Sequence, residues 1–166
     1  QNADVLCFEE FYESKDTSDT KSNIATIESM GLHYHFFSPT KTYKNDSTSG
    51  VIIFSKHPVF GSGEFDIDRS RRGDHLIYMD IRVKDHVFRI FATHLIAINF
   101  AAWDDQEGGD PKEYGTIFSK LIRGYTFRYY QAELVGQKIA ESPYPSVICG
   151  DFNDIPNSST YFKIRG

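Results

Sequence analysis

The stretch Val147-Ile148-Cys149-Gly150-Asp151-Phe152-Asn153-Asp154 decides how this chain is to be read. Its first half is a short apolar run, as expected of a buried strand. The run stops at a glycine, and a carboxylate, an aromatic ring and an amide follow at once. A carboxylate just past a buried strand is held on rigid scaffold and faces a cleft. That placement suits a metal ligand or an acid/base group. An Asx-rich turn closing a strand accounts for the same residues, because Gly, Asp and Asn are turn formers. The same design recurs at Glu10 and at His94, and the recurrence favours the functional reading.

Working outward, 146–150 reads as a strand, and Pro143 and Pro145 close the element before it. That element is a long helix over about 117–140, with Leu121, Ile122, Tyr125, Tyr129, Ala132, Val135 and Ile139 as its buried stripe. Gly124 and Gly136 weaken it and allow a break. Upstream, 75–83 and 87–93 form a β-hairpin about Lys84-Asp85-His86. Residues 51–55 are a strand, with 59–65 returning as an edge strand. A strand over 33–38 closes at Pro39, and 40–50 is a polar loop. A helix over 21–31 presents Ile24, Ile27 and Met30, and the polar run 16–20 could cap it. The strand over 3–8 begins almost at the first residue and reads as the interior of something longer. At the other end, 157–160 opens a helix that the chain has no room to finish. Short turns between successive strands predict mostly antiparallel sheet with helices packed outside, and the absence of βαβα alternation speaks against a doubly wound sheet.

The 166 residues suffice for one domain with a core, and the net charge of −5 supplies no global field for nucleic acid. No aromatic-and-basic surface for stacking bases stands out along the sequence. No stretch approaches the ~18–20 apolar residues of a membrane span, and Gln1-Asn2-Ala3-Asp4 does not read as a signal peptide. The residues carry no address for a compartment, and nothing calls for an obligate protein partner. Cys7 and Cys149 lie in apolar runs and read as reduced core residues, with a bridge between neighbouring strands left open. Arg69, Arg71 and Arg72 read as a solvated loop, as does the acidic stretch 104–110. There is no Gly-x-Ser-x-Gly elbow, Walker glycine loop, Cys-x-x-Cys or His-Glu-x-x-His.

Three expected strands thus end in Glu10, in His94 and in Asp151 with Asn153. If those ends converge, one cleft holds two carboxylates, an imidazole and an amide. Hard oxygen donors without zinc spacing suit Mg²⁺ or Mn²⁺. Such an ion polarises a phosphoryl oxygen. The imidazole can donate to phosphate or move a proton, and the amide can stabilise an oxyanion.

Four motifs occur in order: Asp4-Val5-Leu6-Cys7-Phe8-Glu9-Glu10, Gly50-Val51-Ile52-Ile53-Phe54-Ser55-Lys56-His57-Pro58-Val59, Thr93-His94-Leu95 and Gly150-Asp151-Phe152-Asn153. In these the chain resembles the endonuclease/exonuclease/phosphatase family of metal-dependent phosphoesterases. The resemblance covers essentially all of 1–166 and implies an α+β fold, a four-layer αββα sandwich of mostly antiparallel sheets. It implies divalent metal, Mg²⁺ or Mn²⁺, and hydrolysis of a phosphate ester: nucleic acid, a phospholipid head group or an inositol phosphate. By the same resemblance Glu10 holds the metal and Asp151 orients or deprotonates the attacking water. Asn153 holds the phosphoryl oxygen, and His94 contacts the phosphate or assists the leaving group. Glu9 stands where the family usually has Gln and brings charge towards the metal. The family's earlier Asn and its later Ser-Asp-His motif have no counterpart here, and His75 and His86 lie on the hairpin, in the wrong place to replace that last His. The resemblance therefore implies the central part of a single domain, an incomplete copy lacking N- and C-terminal strands and weak or inactive in isolation. The alternative is an inert binding or scaffolding module that retains the fold.

Overall fold

Both faces of the central strands are covered, which explains apolar runs that scarcely alternate. The structure is a computed structural model and describes residues 3–15, 22–67, 75–97 and 114–166. Its elements are β1 (Val5–Glu13), α1 (Asn23–Ser29), β2 (Tyr34–Thr42), β3 (Thr48–Ser55), β4 (Val59–Asp66), β5 (His75–Val83), β6 (His86–His94), α2 (Tyr114–Ala140), β7 (Ser146–Asp151) and α3 (Ser159–Arg165). One sheet has the order β1-β3-β2, the other β4-β5-β6-β7. Among the described residues every pairing is antiparallel except that of β6 with β7.

The layers follow from the side chains. Val51 and Ile53 of β3 pack with Ile77, Met79 and Ile81 of β5 and with Ile90 and Ala92 of β6, filling the space between the sheets. The alternate residues Ile52 and Phe54 pack outward with Ile24 and Ile27 of α1. On the other side, Leu76 and Phe91 meet Ala132 and Val135 of α2 and Ile164 of α3. The stack is helix, sheet, sheet, helices, which is the expected four-layer αββα sandwich. Among the described residues no helix is long and apolar enough to cross a membrane.

Several boundaries differ from the sequence expectation. β1 does not stop near Phe8 but runs to Glu13 through a bulge. β2 continues through Pro39, because it is an edge strand and its register shifts between Pro39 and Lys41, where a missing N–H costs no ladder bond. β3 begins at Thr48, inside the expected loop. β7 is an edge strand rather than a buried one: it pairs only with β6 among the described residues, and Val147 is exposed. Cys7 and Cys149 are free and only half-buried. Met30 lies past the end of α1 and is exposed, and Ser22 caps that helix by accepting from the Ala25 N–H at 3.0 Å. The last helix does form as α3, with Ser158 as its cap.

α2 is unbroken. Its buried face carries Gly124, Arg128, Gln131, Ala132 and Val135, whereas Ile122 and Tyr125, expected inside, are about half exposed. Gly136, expected as a weak point, is where α3 crosses: a Cβ there would overlap the Lys163 carbonyl. Arg69, Arg71, Arg72, the 104–110 loop and the expected cap at 16–20 lie outside the described residues.

Candidate active site

Glu10 owes its position to the bulge in β1. Glu9 and Glu10 together stand opposite Val51, and Glu10 takes a left-handed φ of 51°. A bulge re-aims the side chain out of the regular pleat. Glu10 is exposed and lines a cleft of ≈ 400 Å³ with Tyr12, Lys41, Tyr43 and His94 among its other walls. His94 is the last residue of β6 and comes from the other sheet.

Asp151 ends β7 directly beside His94 in the parallel register, and its carbonyl accepts from the Leu95 N–H at 2.9 Å. Gly150 has φ 156°, and a Cβ there would overlap the Thr93 carbonyl, so the strand can close on β6 only with glycine before the carboxylate. Beyond it, the Asn153 N–H donates to Asp151 Oδ1 at 2.8 Å, and Asn153 Nδ2 donates to the Leu95 carbonyl at 2.7 Å. Asn153 itself has φ 50°. Two residues held in a sparsely populated backbone region, Glu10 and Asn153, thus flank His94 and Asp151. Such strain, of order 1–3 kcal/mol each, persists where the surroundings over-determine it.

Glu10, His94, Asp151 and Asn153 accordingly gather at one end of the sandwich. The two hairpin histidines part company. His86 pairs with Val83 at the far turn, while His75 begins β5 at the near end, where its carbonyl accepts from the Thr93 hydroxyl at 3.1 Å. The His75 ring is engaged: Nδ1 lies 2.7 Å from Ser38 Oγ, and that hydroxyl donates to Glu64 Oε2 at 2.6 Å.

The sequence model of the Endonuclease/Exonuclease/phosphatase family matches residues 1–166. The chain belongs to this family. The family fold is visible among solved structures. An endonuclease/exonuclease/phosphatase from Beutenbergia cavernae is similar at 18% identity, TM-score 0.62, over 92% of this chain and 40% of that one. The human Nocturnin catalytic domain with bound sulfate is 19% identical, TM-score 0.62, over 96% and 54%. Sphingomyelinase C from Streptomyces griseocarneus is 14% identical, TM-score 0.62, over 99% and 56%. The chain therefore spans about half the length of these structures or less. No curated protein matches it.

The divalent cation that the family implies can be tested against the donor set. Glu10 and Asp151 offer exposed hard oxygens, and among the described residues neither is in an ion pair. Among the described residues no group of three or more His, Cys, Asp or Glu side chains encloses a metal position. Such a set fits an ion that binds through one or two carboxylates and keeps its waters, as Mg²⁺ does.

Two features escaped sequence reasoning. Arg128 and Asp154, 3% and 5% exposed, form an ion pair of 3.6 Å beneath the site. Asp154 Oδ2 also accepts from the Thr160 hydroxyl at 2.6 Å. Arg128 Nε donates to the Ile96 carbonyl at 3.2 Å, and Gln131 accepts from the Ile96 N–H at 3.0 Å. The pair thus ties α2 to the segments that carry His94 and Asn153. The only sequence signal was the polar type of Arg128 and Gln131 on a helix face otherwise apolar. The second feature is the approach of the Cys7 and Cys149 thiols, near enough for each to shift the ionisation of the other, on β1 and β7 just short of Glu10 and Asp151.

Proposed function

We propose that this chain is the catalytic part of a divalent-metal-dependent phosphoesterase and forms the central part of one domain. The observation that carries the reading is the single cleft lined by Glu10 from one sheet and His94 from the other, with Asp151 in register beside His94. The substrate is a phosphate ester, with nucleic acid, a phospholipid head group and an inositol phosphate all compatible with the family.

Glu10 would hold Mg²⁺ or Mn²⁺, with Asp151 as the second carboxylate at hand. The cation, when bound, supplies polarisation of a phosphoryl oxygen and offsets charge in the transition state. The remaining work falls to the protein. Asp151 Oδ1 is occupied by the Asn153 N–H, which fixes the carboxylate and leaves Oδ2 to orient the attacking water and take its proton. Asn153 Nδ2 gives one hydrogen to Leu95, so the amide plane is set and the second hydrogen serves a phosphoryl oxygen. His94 donates to a phosphate oxygen or to the departing alkoxide.

The test is hydrolysis of bis-p-nitrophenyl phosphate with Mg²⁺ or Mn²⁺, then with EDTA, by this chain and by a form extended at both ends. Metal-dependent turnover is expected in the extended form and weak turnover in the chain alone. Asp151→Ala should lower the rate about 10²–10⁴-fold. Turnover indifferent to both EDTA and Asp151→Ala would overturn the reading. Absence of turnover in either form would favour an inert scaffold with this fold.

A further inference from the structure

The cleft has a second wall that the hydrolytic residues do not use. Tyr12 and Tyr43 stand in a tilted pair, ring centroids 5.8 Å apart, and are 41% and 38% exposed. Lys41 Nζ lies 4.8 Å from the centre of the Tyr43 ring. All three line the ≈ 400 Å³ cleft together with Glu10 and His94. They come from two strands, Tyr12 from the extension of β1 past its bulge and Lys41 from the end of β2, with Tyr43 just beyond it. An aromatic-and-basic surface, which did not stand out along the sequence, is therefore assembled by the fold.

This wall is braced. Tyr43 Oη is 3.2 Å from Ser49 Oγ, and the Tyr43 N–H donates to the Ser47 carbonyl at 2.8 Å. Asn45 Nδ2 donates to Tyr12 Oη at 3.4 Å. Exposed rings held in place lose little entropy when a flat ligand stacks on them.

We infer that the Tyr12–Tyr43–Lys41 wall is a base subsite: it stacks the nucleobase of a nucleotide whose phosphate lies towards Glu10 and His94. This deepens the phosphoesterase reading and rests on it for the place of the phosphate. Three observations select this class. The volume suits one nucleotide, being at the lower end of small-ligand sites, and does not suit a duplex. Lys41 sets a positive charge against the Tyr43 ring, so a quaternary ammonium head group would meet a like charge there. Among the described residues Lys41 is the one lysine or arginine lining the cleft, too little positive charge for a polyphosphorylated inositol.

Binding by chemical-shift titration separates the subsite from catalysis. The probes are adenosine 5′-monophosphate, ribose 5-phosphate and phosphocholine, each with the folded chain in EDTA. Base stacking of ~1–3 kcal/mol corresponds to about a 5- to 150-fold preference for the nucleotide over ribose 5-phosphate. Tyr12→Leu and Tyr43→Leu should bring that ratio to within about 2-fold, whereas Tyr12→Phe, which keeps the ring, should preserve it. Lys41→Gln should weaken both sugar phosphates alike. A ratio near one in the unaltered chain, a ratio untouched in both leucine variants, or tighter binding of phosphocholine would overturn the inference. A base preference that persists in a protein without hydrolytic activity would leave the subsite standing and remove the phosphoesterase reading instead.

Discussion

Glu9 carries a charge that the sequence reading placed near the metal. The same charge, as the smallest of several causes, also opposes ionisation of Cys7 and Cys149. Between the two thiols the balance is uneven. The adjoining Cys7 thiol holds the Cys149 thiol down to about 7 against the opposing effects of burial and Glu9. The same approach, with burial, pushes the Cys7 thiol up. Alkylation of Cys149 by iodoacetamide, followed by mass spectrometry, should therefore be half-maximal near pH ~7, below the ~8.5 of an unperturbed thiol. Cys7→Ala removes the adjoining thiol and should raise that midpoint. Equal midpoints with and without Cys7 would show that its thiol does not set the reactivity.

At the scale of elements, α2 shows why the apolar pattern misled. A helix that buries Arg128 and Gln131 to hold a loop has polar residues on its inner face, and the apolar count then selects Ile122 and Tyr125, which face outward. The Arg128–Asp154 pair gives this a measurable consequence. Burial alone would raise the Asp154 pKa, but hydrogen bonds from Thr160, the Ile155 N–H and Ser158, with the charge of Arg128, outweigh it and lower it. A carboxyl lowered in the folded state stabilises the fold above its unfolded pKa of ~3.9, and that contribution is lost as pH falls through the lower folded value. Asp154→Ala leaves Arg128 buried without its partner and should cost about 3–5 kcal/mol at neutral pH. Urea unfolding measured from neutral pH down to pH ~3 should show the variant losing less further stability on acidification than the unaltered chain. Parallel curves would mean that the pair contributes no pH dependence.

For the whole molecule, the αββα stack and the shared cleft of Glu10 and His94 were legible because four motifs lie in fixed order along it. Residues 51–55 and the 75–83/87–93 hairpin read correctly, being short, apolar and bounded by turns. What stayed hidden was set by tertiary pairing. Pro39 sits within β2 because that strand is an edge, and β1 passes Glu10 because β3 continues to pair with it as far as Thr48. Tyr12, Lys41 and Tyr43 share a wall only because β1 and β2 flank β3 in one sheet.

The parallel pairing of β6 with β7 has a consequence in time. β4, β5 and β6 are joined by near neighbours in sequence, whereas β7 returns to β6 only after residues 95–145, across the whole of α2. Closing that longer loop carries the larger entropy cost and is the slower event. The chain should thus fold its scaffold first and bring Asp151 to His94 last. Pulse-labelled hydrogen exchange during refolding should protect amides of the β5–β6 hairpin before those of 147–151. Simultaneous protection would mean that the hairpin and its parallel neighbour form in a single step.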